Sequence, residues 1–235
     1  MKALLLFPFA PNKLARFIMA CESDSVQLEI VANQNLTEGL PPNAIMTTET
    51  ALSFAELSQS VSSLETYDGF VPFSEFSVVL TDQVAQALGK PCNAIKDLEC
   101  LTNKYAMRKS FENTGVLQPK VLKFLKRDEE IDKESLEQLT FPVVVKPTDA
   151  AGSLNVKIVH SPEEVKTAIE NIRSFLYWKD AEVKFSGDAI IEEAIGGQEF
   201  STEVIVQDAK VLFQSNTFKV MSAWPSTDEL GHVLP

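Results

Sequence analysis

The 235-residue sequence predicts an α/β protein, and three observations carry that prediction. Apolar runs of strand length recur, such as LLLF at 4–7 and VVV at 143–145. Between them lie stretches whose apolar residues return at helical spacing. Turn residues such as Gly89-Lys90-Pro91 punctuate the alternation. Strands separated by helices imply a parallel sheet with crossover connections.

Residues 2–7 read as a buried strand, continuous in apolar side chains as parallel strands are. Pro8 interrupts the run and no small-residue cleavage site follows, so a signal peptide is not predicted. Residues 12–21 read as a helix, 26–32 as a second strand and 34–43 as a loop. Residues 50–64 carry Leu52, Ala55, Leu57 and Val61 at helical spacing, 69–72 form a short strand, and 77–88 form a helix with Val79, Leu80, Val84 and Ala87 on one face. No G-x-G-x-x-G follows the first strand, so a dinucleotide site is not predicted.

The pattern changes near residue 100, which divides the chain into an expected first domain, 1–100, and a second, 101–235. Thr102 is the expected cap of a helix bearing Lys104, Tyr105, Arg108 and Phe111, stopped by Gly115. Strands follow at 119–125 and 141–146, with a short helix at 132–138. A turn-rich loop, PTDAAGSLN, leads to a strand at 156–159. Ser161 caps the next helix, with Glu163 and Glu164 in its first turn. Further strands are expected at 189–193, 199–206 and 210–214.

Composition limits the function. Hydrophobic residues make up 45% and charged residues 23%, as in ordinary globular proteins. A net charge of -12 disfavours nucleic acid and anionic membranes as partners. An anionic ligand then needs a local basic pocket. The three cysteines, Cys21, Cys92 and Cys100, show no metal or redox spacing and read as free thiols of a reducing, cytoplasmic compartment. The two histidines, His160 and His232, lie far apart in sequence, so no zinc site is predicted.

Three segments could carry chemistry. In FPVVVKPTDAAGSLNVKIV, a valine-rich strand delivers Lys146 at its end, before a loop whose small residues Thr148, Gly152 and Ser153 let backbone N–H groups approach phosphate oxygens. The lysine precedes the loop, so this is not the Walker pattern. In AIIEEAIGGQEFSTEV, an apolar strand ends in Glu192-Glu193, a Gly196-Gly197 turn follows, and Glu199, Ser201 and Glu203 share one strand face. In TNKYAMRKSF, Lys104 and Arg108 lie four apart on one helix face. Taken singly, the first reads equally well as a surface hairpin with a solvated lysine, and the other two read better as a solvated hairpin and a solvated helix face. The lysines are expected at element ends, so that losing the Lys146 charge would barely change stability without ligand.

Together, in this order, the three segments resemble the ATP-grasp superfamily, and residues 69–91 look most like its carboxylate–amine ligase branch, which includes bacterial L-amino acid ligases. The resemblance implies a Rossmann-like pre-ATP-grasp domain followed by a partial ATP-grasp domain. It implies that ATP is held by phosphate lysines Lys104 and Lys146, by the loop bearing Thr148, Gly152 and Ser153, and by Glu192 beside the adenine amino group. Glu193 and Ile195 would meet adenine through their backbones, with Val144 and Ile195 packing the ring, Glu199 holding the ribose hydroxyls and Lys219 facing phosphate. The implied reaction joins a small carboxylate or amino acid to an amine through an acyl phosphate, with magnesium. The family's metal ligands and catalytic arginine come later than the Gly231-His232 segment, so they are expected beyond residue 235. This chain alone is therefore expected to be inactive, with no catalytic residue assigned. The resemblance leaves a homodimer open, and a non-catalytic nucleotide-binding module or degenerate remnant is the alternative.

Overall fold

A computed structural model describes residues 1–7, 11–47, 53–93, 96–223 and 229–234, without the side chains of 11 and 12. Pro8, residues 50–52 of the expected second helix and Pro235 lie outside the described residues. The chain forms two compact units, Met1–Thr114 with Phe175–Ser186, and Gly115–Ser174 with Gly187–Pro235.

In the first unit, strands β1 (Lys2–Leu6), β2 (Gln27–Asn33), β3 (Ile45–Thr47) and β4 (Gly69–Pro72) form a four-stranded sheet in the order β3-β2-β1-β4. All three pairings are parallel. Side chains alternate across β1, so its apolar run feeds two cores. Leu4 and Leu6 join Val31, Leu57, Leu80 and Val84, from helices α2 (Phe54–Ser60) and α3 (Val78–Ala87). Leu5 packs oppositely with Leu14 of α1 (Pro11–Ser23), Ile30 and Ala32. Leu4, Leu5 and Leu6 are each 0% exposed, and burying such a side chain contributes roughly 1.5–3 kcal/mol. A central strand covered on both faces must be apolar throughout, which is why LLLF reads as continuous.

Two elements of this unit were not anticipated. The three-residue β3 is too short for periodicity and is placed by pairing, with the Thr47 hydroxyl donating to the Ala32 carbonyl at 3.2 Å. The hairpin of β8 (Tyr177–Trp178) and β9 (Val183–Lys184) is fixed by rings instead of pattern. Phe76 meets Trp178 and Phe185 edge-on at 6.3 and 6.2 Å. The expected cap also moves by one residue. Helix α4 (Lys104–Phe111) starts after Asn103, whose side-chain oxygen accepts from the N–H groups of Tyr105 and Ala106. Thr102 instead ends the preceding 3-10 turn, Leu98–Leu101.

In the second unit, β5 (Val121–Leu125), β6 (Val143–Pro147), β7 (Lys157–Val159) and β10 (Ala189–Glu193) form an antiparallel sheet ordered β5-β10-β6-β7. Helix α5 (Lys133–Glu137) contributes Leu136, and α6 (Pro162–Ser174) contributes Val165, Ala168, Ile169 and Ile172, to a core with Val143, Val145, Ala189 and Ile191. Asp132 caps α5 by accepting from the Ser135 N–H at 2.7 Å. The odd-numbered residues of β6 and β10 thus face the helices. Val144, Lys146, Ile190 and Glu192 share the opposite face, since Ile190 pairs with Lys146 and Glu192 with Val144.

Strands β11 (Phe200–Gln207), β12 (Lys210–Met221) and β13 (Glu229–Val233) form a second antiparallel sheet. The expected strand at 210–214 runs on to Met221, and β13 was not anticipated. Among the described residues no helix is long and apolar enough to cross a membrane.

Replacing Asn103 by alanine should remove the α4 cap and lower the unfolding free energy by about 1 kcal/mol. Thr102→Ala should cost much less, because Thr102 caps nothing there. Chemical denaturation of both variants measures this; the reverse ranking would return the cap to Thr102.

Candidate functional site

A cavity of about 670 Å³ lies within the second unit. Its walls come from Val144 and Lys146 on the helix-free face of β6, and from Val156 and Ile158. Ser153, the hinge from Ile195 to Glu199, and the stretch from Phe218 to Ser222 complete it. The period of two explains the mixture. The face of β6 turned from the helices carries an apolar residue and then a lysine, giving a greasy wall with one charge at its end.

Lys146 is not the solvated lysine of a surface hairpin. Its Nζ sits 2.5 Å from the Glu192 carboxylate, with the two side chains 15% and 2% exposed. Lys146 and Glu192 stand diagonally across the β6–β10 ladder, which brings their ends together. Removing one partner of such a pair leaves a buried charge uncompensated, at a cost of about 3–5 kcal/mol. The expectation that losing the Lys146 charge leaves stability unchanged is therefore corrected.

Beyond Lys146 the chain turns sharply. The Thr148 N–H donates to the Asp188 carbonyl at 3.1 Å. Thr148 is fully buried, and its Oγ1 has no hydrogen-bond partner among the described residues. Gly152, Ser153 and Asn155 adopt φ of 63, 58 and 53°, a left-handed conformation easy only for the glycine. Two turns close the loop, with Leu154 N–H donating to Ala151 O and Val156 N–H to Ser153 O.

At the hinge, Glu193 points away from the cavity. Its Oε1 accepts from the Lys120 N–H at 2.9 Å, and its own N–H donates to the Lys120 carbonyl at 3.1 Å. Of its backbone groups, only the carbonyl can then serve a ligand. Gly197 takes a φ of 122°, which lets the chain turn back into β11. The Gln198 side chain ties this turn to the Lys219 carbonyl at 3.0 Å.

Lys219 forms ion pairs with Glu199 and with Glu229, the latter at 3.0 Å, and His232 Nε2 lies 2.9 Å from Glu229. Burial pulls the Lys219 ammonium down, but the bonds to the two carboxylates outweigh it and hold its pKa above the ordinary lysine value. The bond from Lys219 holds the Glu229 carboxyl below its usual range. Hydrogen bonds from Ser201 and Thr217 do the same for Glu203.

The structure therefore gathers Lys146, Ser153, Ile195, Glu199 and Lys219 around one cavity, with Glu192 behind Lys146. Thr148, Gly152 and Glu193 flank that wall without lining it. Lys104 belongs to the first unit, at the start of α4, where its charge opposes the desolvation that pushes the Glu75 carboxyl up. The sequence reading missed the Glu229 and His232 partners of Lys219. A signal existed in the alternation Thr217, Lys219, Met221, but their cross-strand neighbours required the register.

The fold is α/β, with an all-parallel sheet in the first unit and antiparallel sheets around this cavity in the second. Residues 139–235 match the family model described as the ATP-grasp domain. Over its whole length the chain superposes on the L-amino acid ligase of Bacillus licheniformis, with a TM-score of 0.72, 20% identity and 55% of that chain covered. It also superposes on carboxyaminoimidazole ribonucleotide synthase from Aspergillus clavatus complexed with ATP, with a TM-score of 0.63 and 14% identity, covering 94% of this chain and 54% of that one. In sequence, 84 residues are 34% identical to the D-alanine–D-alanine ligase of Lacticaseibacillus casei, covering 36% of this chain and 20% of that protein. The chain thus resembles the ATP-grasp superfamily and its carboxylate–amine ligases, and it spans about half the length of the solved ligase chain.

The direction of the Glu229 shift fixes a pH dependence. A carboxyl held below its ordinary value of 4.5 contributes stability above that value and loses it as pH falls through the lower folded value. Glu229→Gln should thus lower Tm relative to wild type at neutral pH, and the difference should vanish well below pH 4.5. Thermal melts across that range test it; a constant difference would mean that the ion pair does not cause the shift.

Proposed function

We propose that this chain is the ATP-binding portion of an ATP-dependent carboxylate–amine ligase, which forms an amide through an acyl phosphate. The observation that carries this reading is the single cavity that joins an apolar wall to Lys146 and Ser153 at one side and to the hinge and Glu199 at another. Its volume suits a small-molecule site. The buried, unpartnered hydroxyl of Thr148 and the left-handed loop beside Lys146 suit an anionic phosphate chain. The solved Aspergillus clavatus synthase, similar in fold, is an ATP complex.

In this reading residues 1–100 form the preceding domain and 101–235 the first part of the grasp. Adenine packs between Val144 and Ile195 and is read by the Glu193 carbonyl and the Ile195 backbone. Glu199 accepts from the ribose hydroxyls. Lys146 neutralises phosphate oxygens, held in place by Glu192, and the 148–155 loop with Gly152 and Ser153 covers them. The nucleotide supplies the phosphoryl group that activates the carboxylate. Among the described residues no group of three or more His, Cys, Asp or Glu side chains could hold a metal ion. These residues offer magnesium no cage. The remaining partners are a small carboxylate or amino acid and an amine, in a cytoplasmic protein able to form a homodimer.

Calorimetric titration tests the reading. ATP should bind more tightly than GTP, and Glu199→Ala should weaken ATP. Lys146→Ala should cost roughly 1–3 kcal/mol of ATP binding and also lower the apo Tm. A Lys146→Met, Glu192→Met pair should recover stability but not affinity, because an apolar pair can replace a buried ion pair. Equal affinity for GTP and ATP would sink the hinge assignment. Binding of neither nucleotide would remove the nucleotide site itself.

The loop gives a separate check. Its middle, residues 151–155, buries little surface and is closed by two turn hydrogen bonds, so it should open easily. Phosphate partners for its N–H groups offset the entropy of ordering it. Hydrogen exchange across 151–155 should slow when ATP is bound, while Thr148, anchored to Asp188, changes less. Unchanged exchange under measured saturation would remove the loop from the site.

A further inference from the structure

Lys219 stands in the cavity wall, where a lysine could serve phosphate directly. Its surroundings argue for another role. The side chain is only 18% exposed, and its ammonium already engages Glu199 and Glu229. The backbone repeats the link, because the Lys219 N–H donates to the Glu199 carbonyl at 3.1 Å. Glu229 is held in turn by His232, which stands opposite Lys219 in the β12–β13 register. A line of polar side chains, His232, Glu229, Lys219 and Glu199, therefore runs from β13 to the entrance of β11.

Glu199 needs such a support. It follows the Gly196-Gly197 turn, and its side chain is about half exposed, so little packing holds it. Lys219 engages Oε1 of Glu199, and Oε2 takes no hydrogen bond from the described residues. One carboxylate oxygen is thus clamped while the other stays available to a hydroxyl donor. Turning Lys219 towards phosphate would break two ion pairs, leaving Glu199 unmatched and Glu229 with His232 alone, in a chain of net charge -12.

We propose that Lys219 is a positioning residue, which clamps Glu199 for the two ribose hydroxyls of a nucleotide, and that it makes no phosphate contact. This rests on the nucleotide-binding reading above and revises the phosphate-facing role that the resemblance implies for Lys219. Glu229 and His232 act through the lysine by limiting the positions it can take. A ligand without ribose hydroxyls then gains nothing from the clamp.

The test compares ATP with 2′,3′-dideoxy-ATP, which keeps the base and phosphates, on the full chain by calorimetry. Wild type should prefer ATP. Lys219→Gln should weaken ATP about tenfold and leave dideoxy-ATP unchanged, and Glu199→Gln should give the same pattern. The double variant should bind ATP no worse than either single variant, as groups acting as one unit do. Equal weakening of both nucleotides by Lys219→Gln would overturn the proposal, since loss of a phosphate contact or of the fold does not distinguish them. Should Lys219→Gln fail to fold, Glu229→Gln decides. The clamp predicts weaker ATP and unchanged dideoxy-ATP, whereas a lysine released to serve phosphate would tighten both and overturn the role. Tight, equal binding of both nucleotides by wild type would remove the clamp but keep the nucleotide site. Binding of neither would remove that site and the clamp with it.

Discussion

The ion pair between Lys146 and Glu192 is the constraint around which the second unit is arranged. Two charges within 2.5 Å, one almost wholly buried, can meet only in the register that sets Lys146 and Glu192 on the face of β6 and β10 turned from the helices. The same register sends Val143, Val145, Ala189 and Ile191 to the helices. A slip of one residue would bury the lysine under α6 and expose the valines. Desolvating both ions costs several kcal/mol each, and their mutual attraction offsets much of this only because they meet end to end. The pair is thus a weak source of net stability and a strong source of placement.

The cavity inherits its character from this arrangement. Its apolar walls are the leftover faces of strands whose other faces build a core, and its charges sit where strands end or turn. Lys146 closes β6, the glycines precede β11, and Lys219 reaches across from β12. Charge at the rim and hydrocarbon in the middle suit a ligand with a flat apolar base and an anionic tail. In a strongly acidic chain the two lysines are local exceptions, each matched by carboxylates that hold it in position.

Much of this was legible in residue order. The alternation of LLLF, VVV and AII runs with helical stretches gave the α/β class, because a strand buried on both faces must be apolar and an amphipathic helix must repeat near 3.6 residues. Lys146 and the small-residue loop stood out only in combination with the two other segments, because alone such a run also suits a surface hairpin. The α4 cap was misplaced because Thr102 and Asn103 can both cap. Only the path of the preceding 3-10 turn, which ends at Thr102, selects Asn103. The hairpin at 177–184 was missed because two-residue strands have no period, and ring contacts with Phe76 define it.

The sequence by itself determined which residues could be buried, which strands would carry charge at their ends and which loop could bend beside a lysine. These follow from local chemistry: side-chain polarity, the period of two and the backbone freedom of glycine. The tertiary structure alone decided the partners. It placed Glu192 against Lys146, turned Glu193 away to Lys120, and joined Lys219 to Glu199, Glu229 and His232. Partners across strands depend on register, and register is settled by the summed packing of both faces, which no short stretch of sequence contains.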